Sequence, residues 1–241
     1  MELNPFRPNK IGIPIFMVGA VIGFALFLVI FFQDTEAIVF SPLLSGESTL
    51  RAFSCPEIIT PQETGTVRAK IHNPTAEEQY RSIRTHITQG HLLYKREFND
   101  HFYLEPGETQ QVSWTVYPED AAYGYVILAK VHFFQQDPLP SYVGACGIML
   151  LDVPYIQGWH FILVTSVVSF SLMGVGYRRY VVHNQLLLGR KRTLAVNMAV
   201  IASTVILAIG TMFLENWYLE LGFFVFTIIL LAESVFFFSQ S

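Results

Sequence analysis

Thr66-Val67-Arg68-Ala69-Lys70-Ile71-His72 alternates polar and apolar side chains without a break, the pattern of a strand with one buried face. Reading outward from it, residues 80–88, 91–95 with 97–104, 110–117, 123–134 and 142–153 carry strand character of the same kind. Turn chemistry separates them: Asn73-Pro74, Gln89-Gly90, Asn99-Asp100, Glu105-Pro106-Gly107, Pro118-Glu119-Asp120 and Asp137-Pro138. Short strands at this spacing over residues 50–153 predict an antiparallel β-sandwich.

The stretches Thr60-Pro61-Gln62-Glu63-Thr64-Gly65-Thr66-Val67, His72-Asn73-Pro74, Leu104-Glu105-Pro106-Gly107-Glu108 and Tyr123-Gly124-Tyr125-Val126 resemble the Ig-like accessory modules of prokaryotic surface proteins. The resemblance covers about residues 50–153, and its motifs specify turns. It implies a seven-stranded sandwich used as a spacer or adhesion unit. Trp114 stands late and Cys55 and Cys146 stand far apart, a departure from antibody-type domains with their inter-sheet bridge.

The flanks read differently. The chain has 241 residues, 52% hydrophobic and 14% charged, with mean hydropathy +0.41, outside the range of soluble domains. Stretches 11–32, 158–177, 193–214 and 217–238 each offer the roughly 20 apolar residues that cross a hydrocarbon core about 30 Å thick. The expected fold class is therefore an α+β membrane protein: four transmembrane helices with an Ig-like sandwich inserted between the first and second. Residues 1–10 are an N-terminal tail, 33–49 a linker and 178–192 a basic loop. The first span exceeds a signal-peptide core and its exit at Phe31-Phe32-Gln33-Asp34 lacks a small-x-small site, so it reads as an uncleaved anchor.

Charge sets the orientation. Arg7 and Lys10 precede the first span, while Arg178, Arg179, Arg190, Lys191 and Arg192 lie between the second and third. The positive-inside rule makes both sides cytoplasmic, with both termini inside a plasma or inner membrane and residues 33–157 outside. The cations at 178–192 serve topology or meet lipid headgroups. Residues 33–157 carry eight Lys or Arg against fifteen Asp or Glu, a formal charge of −7, which argues against nucleic acid as a partner. Cys55 and Cys146 both fall there, and a disulfide is the simplest use of such a pair; two buried thiols are the alternative.

Gly19 and Gly23 form a G-x-x-x-G pair in the first span, and Ala195, Ala199 and Ser203 a small-residue stripe in the third. Both are expected helix-packing faces. Glu220 and Glu233 in the fourth span and Asn197 in the third are candidate intramembrane polar groups. Tyr155, Trp159 and His160 fit an interfacial aromatic belt.

Histidines 72, 86, 91, 101 and 132 invite a metal reading, but Cys146 is followed by Gly147-Ile148-Met149 rather than histidine, which fails the blue-copper pattern. No G-x-S-x-G, H-E-x-x-H, Walker or dinucleotide motif occurs. The expectation is a non-enzymatic chain without cofactor or resident metal, contacting membrane lipid and other membrane subunits as an accessory or assembly component of a larger complex. The alternatives are an oligomeric channel or transporter-like protein, then a metal-binding subunit of a membrane enzyme. The order span, β-rich outer loop, three spans is similar to the claudin-type topology, whose Trp and paired-Cys outer-loop signature is absent.

Overall fold

The alternation at 66–72 is realised as a strand, Gly65–His72, with Val67, Ala69 and Ile71 buried and Arg68, Lys70 and His72 exposed. It belongs to a computed structural model that describes residues 11–41, 48–50, 52–134, 141–184, 189–211 and 217–239. Among the described residues, four helices, α1 (Gly12–Phe40), α2 (Gly158–His183), α3 (Arg190–Thr211) and α4 (Trp217–Ser239), stand before and after nine strands in the chain. In chain order the strands are β1 (Ser48–Thr49), β2 (Phe53–Ser54), β3 (Ile58–Ile59), β4 (Gly65–His72), β5 (Gln79–Gln89), β6 (His91–Leu104), β7 (Thr109–Val116), β8 (Val126–Phe134) and β9 (Tyr142–Leu150).

The strands make two sheets. One has the order β1-β9-β8-β5-β6, with β3 also on β9, and the other the order β2-β4-β7. Ile83, Ile87, Ile127, Val131 and Ile148 of the larger sheet share one buried cluster with Val67, Ile71, Trp114 and Val116 of the smaller. Each such side chain contributes about 1.5–3 kcal/mol on burial. The result is an antiparallel sandwich whose first strand is broken into three pieces. β1 and β3 pair parallel with β9, at Ser48 with Tyr142 and Ile58 with Met149, while β2 between them crosses to pair antiparallel with β4.

That crossing has a packing reason. Phe53 of β2 lies over Gly144 of β9, where an added Cβ would stand 2.9 Å from the ring. Cys55 follows at once and is bonded to Cys146 of β9, with Cα atoms 6.5 Å apart. At the far end of the sandwich Asn73 is fully buried and ties two turns together. Its Nδ2 donates to the carbonyls of Glu77, Leu104 and Glu105, and its Oδ1 accepts from Thr75. Gly107, at φ +75°, supplies the left-handed turn residue beside it.

The chain divides into two compact units, 32–161 and the helical remainder. In the helical unit α1 and α2 are antiparallel. Gly12 meets Tyr180, Phe16 meets Gly176, Gly19 meets Met173 and Gly23 meets Ser169. A Cβ at Gly19 would lie 2.7 Å from the Ser169 carbonyl, so only glycine permits this approach. Ser169 Oγ donates to the Gly19 carbonyl at 2.8 Å. Among the described residues, Gly12–Phe40, Gly158–His183 and Lys191–Thr211 are long and apolar enough to cross a membrane, and Leu219–Leu230 forms a shorter apolar helix.

Boundaries differ from the sequence reading, and α3 opens at Arg190, taking Arg190, Lys191 and Arg192 of the expected basic loop into helix. Helix α1 continues through Gln33-Asp34-Thr35-Glu36 to Phe40 where a linker was expected from residue 33, because Ala37 packs on Ala122, Val126 and Leu128 of the sandwich. β6 is one strand across Arg96 and through Asn99-Asp100, where a turn was expected, because it pairs with β5 from Lys95 to Leu104 and again at His91 after a register shift. α2 runs past Tyr177 to His183, absorbing Arg178 and Arg179 into helix. The rest of the expected linker and basic loop includes 42–47 and 185–188, which lie outside the described residues.

Candidate interaction surface on the sandwich

The larger sheet ends at β6 and the smaller at β7, so among the described strands each presents an unpaired backbone edge on the same side of the sandwich. Inward-facing Phe98 and Phe102 of β6 are only half-buried, because the smaller sheet does not extend far enough to cover them. Between the two edges runs a groove of about 350 Å³, lined by Arg96, Phe98, Asp100, Val112, Trp114 and Tyr117 among others.

Two polar pins cross this opening. The Trp114 indole donates to Asp100 Oδ2 at 3.0 Å. Arg96 Nη2 donates to Asp120 Oδ2 and, at 2.9 Å, to the Thr115 carbonyl. The Arg96 guanidinium also lies between the rings of Phe98 and Tyr117, 5.5 and 5.1 Å from their centroids. Asp120 is 3% exposed and accepts a second hydrogen bond from the Tyr117 amide at 2.8 Å. The short 3-10 turn Pro118–Asp120 folds the Asp120 carboxylate inward. The surface is thus preorganised and amphipathic, with aromatic faces, one braced cation and the backbone edges of β6 and β7, where Arg96 occupies the Thr115 carbonyl.

On the outer face of β5 and β6, His86 Nε2 lies 3.6 Å from Glu97 Oε2. Burial pulls the His86 pKa down, opposed by Glu97 and reinforced by Lys95, Arg84 and Lys130. Arg81 is buried in the core against the Phe133 ring, 5.5 Å away, and burial lowers its guanidinium pKa from the ordinary value.

A second constellation lies within the unit 32–161, at Gln33, Glu57, Glu63 and Gly158. Gln33 of α1 is buried, its backbone packs against Gly147 of β9, and its Nε2 donates to Glu57 Oε2 at 2.9 Å. Glu63 Oε1 accepts from the Thr60 amide at 2.8 Å and from the Gly158 amide at 2.7 Å. Gly158 opens α2, so Glu63 is a cap supplied from a remote turn, satisfying one of the free donors of the first helical turn and complementing the helix dipole. Glu57 and Glu63 bracket β3, which the disulfide and β9 hold in place.

Of the residues singled out from sequence, the structure brings Cys55 to Cys146 and sets Gly19 and Gly23 against α2. Ala195 is buried, but Ala199 and Ser203 are exposed, and the buried face of α3 runs instead through Ala195, Met198, Ile201, Val205 and Ala208. Asn197 is half-buried and Glu220, one turn into α4, is 1% exposed. Arg178, Arg179 and Arg192 are exposed and Lys191 half-buried. The side chains of Arg190 and Glu233 lie outside the described residues. The histidines of the sandwich are dispersed: His72 contacts Thr109, His101 stacks on Tyr80 and His91 meets Tyr123 edge to face. Among the described residues no three His, Cys, Asp or Glu side chains stand together as a metal site.

No protein-family profile matches the chain, and no curated protein matches it. Among solved structures, it is similar to the CARDB domain of a Pyrococcus furiosus protein crystallised with di-metal ions, at 9% identity and TM-score 0.33, over 42% of this chain and 84% of that one. A β-glucosidase from Erythrobacter marinus matches at 20% identity and TM-score 0.31, and a Paenibacillus cycloisomaltooligosaccharide glucanotransferase at 13% and 0.31. This chain spans 15% and 14% of those two enzymes. The assignment of a sandwich rests on the strand order and registers given above.

Proposed function

We propose that the chain is a multi-pass protein of a plasma or inner membrane, with both termini cytoplasmic and the sandwich outside, and that it acts as a non-catalytic accessory or assembly subunit. The sandwich docks a partner subunit through the open β6/β7 side. The observation that carries this reading is the juxtaposition of two free strand edges around a braced aromatic groove. Backbone edges of this kind accept an added strand, and aromatic side chains with a fixed Arg make good interface anchors. The orientation rests on the cations at 178–192 and on the Cys55–Cys146 disulfide, which persists in an oxidising compartment. Purification in mild detergent tests the reading: a stoichiometric second chain is expected, and a species that is monomeric under every mild condition overturns it.

A second reading, transport through an oligomer of helices, draws on one observation, the burial of Glu220 inside an apolar helical unit. An ion flux in proteoliposomes that falls on Glu220→Gln would support it, and absence of flux removes it.

A further inference from the structure

The registers place one set of strand ends together. β8 begins where β9 ends, at Val126 with Met149, and the β5–β6 turn follows Ile87, the partner of Ala129. The end of the sandwich that hands the chain to α2 at Gly158 therefore also carries the β5–β6 hairpin and the loop before β8. The last turns of α1 pack on the same end, with Ala37 against Val126 and Leu128 and with Phe40 and Leu92 joining them.

This end is rich in exposed apolar and aromatic side chains. Leu93 is 82% exposed, Tyr94 70% and Tyr155 99%, with Tyr123, Tyr125 and Trp159 also exposed. His91 bridges two of them through ring contacts with Tyr94 and Tyr123. Tyr123 and Tyr155 are the two non-glycine residues with positive φ among the described residues, at +56° and +66°. Bulky side chains rarely adopt that backbone region, and the strain collects at sites kept for function. At Tyr123-Gly124, where both residues have positive φ, a tight turn ordinarily takes Asn-Gly. Tyr123 also stacks on Tyr125, 6.1 Å between ring centroids, so the exposed rings form one aromatic surface.

We infer that this end of the sandwich is an interfacial platform that rests in the headgroup layer of the same bilayer its helices enter, with Leu93, Tyr94, Tyr123, Tyr125 and Tyr155 as the contacting side chains. The inference depends on the membrane reading proposed above. The occupant is argued from continuity of the chain: Tyr155 precedes the first residue of α2 by three positions, so it lies within roughly 10 Å of it even when fully extended. Tyr and Trp are the residues that prefer this layer, with an apolar body and a polar tip. Residues 33–157 carry net negative charge, so the contact rests on ring insertion and not on attraction to anionic lipid, and salt does not weaken it on zwitterionic lipid.

Spin labels on the full-length chain in phosphatidylcholine liposomes test this, with the native disulfide intact. Labels are placed at Leu93→Cys and Tyr155→Cys, at Val21→Cys in α1, and at Tyr103→Cys, the far end of β6. Two platform positions keep the test alive if one variant fails to fold. The expected result is a several-fold higher ratio of oxygen to water-soluble nickel collision rates at 93 and 155 than at 103, unchanged in high salt. Lipid access at 21 with water-like ratios at 93 and 155 overturns the platform and leaves the membrane reading standing. Water-like ratios at 21 as well overturn both. Protection at 93 and 155 from oxygen and nickel alike means a protein partner covers this end, and also overturns the platform.

Discussion

Removing the disulfide should expose how much of the sandwich depends on tethering its first strand to its last. β1, β2 and β3 have two residues each, so their ladder bonds alone hold the segment weakly. Cys55 and Cys146 are 91 positions apart, and in the chain-entropy model a loop of that size contributes about 4.5 kcal/mol by restricting the unfolded chain. With a urea slope of about 1–3 kcal/mol per molar, the midpoint of the Cys55→Ser/Cys146→Ser chain should fall by roughly 1.5–4.5 M. The assay is urea unfolding of the full-length protein in detergent, followed by tryptophan fluorescence and by limited proteolysis. Reductant added to the native chain should give the same loss. Coincident midpoints with and without the bond would refute the reasoning, since β9 and its pairing with β3 would then hold the first strand unaided.

Other perturbations have defined signs. Gly19→Leu drives a side chain into the Ser169 carbonyl and Leu172, and should cost about 1–3 kcal/mol or more of helical packing, seen as a lower melting temperature in detergent. Arg96→Ala leaves Asp120 buried with the Tyr117 amide as its remaining described partner; a loss of about 2–4 kcal/mol is expected, and the Arg96→Ala/Asp120→Asn pair should recover part of it in a double-mutant cycle. The His86 pKa is depressed below 6.5 in the folded chain, so the unfolded chain binds its proton first. Stability from this group is present above the unfolded value and declines as pH falls through it toward the folded one. His86→Gln should flatten that decline in urea midpoints measured between about pH 5 and 8.

What sequence could show here was periodicity. At 66–72 the polar and apolar positions match a strand with one wet face, and Val67, Ala69 and Ile71 are buried as the pattern requires. Boundaries that depend on tertiary contacts were not legible. Gln33-Asp34-Thr35-Glu36 has the composition of a helix exit, yet α1 persists because Gln33 finds Glu57 and Gly147 and Ala37 finds β8. The switching of β2 between sheets leaves no trace in two-residue strands; the nearest signal was Gly144, a glycine inside a strand pattern, which marks the close approach of Phe53. The Arg96–Asp120 and Trp114–Asp100 pins join residues 24 and 14 positions apart, and nothing local distinguishes those carboxylates from solvated ones. On α3, small residues at four-residue steps suggested a packing stripe, but the core-facing row passes through larger side chains, and Ala199 and Ser203 turn outward.

The most direct test of the docking claim is site-specific photo-crosslinking in the native membrane. A photoreactive residue replaces Ser113, exposed on β7 at the groove, or Tyr80, exposed on the outer face of β5. A single stoichiometric adduct from position 113, and none from 80, is the outcome that a partner on the open β6/β7 side requires. No adduct from 113, or equal labelling from both positions, contradicts it.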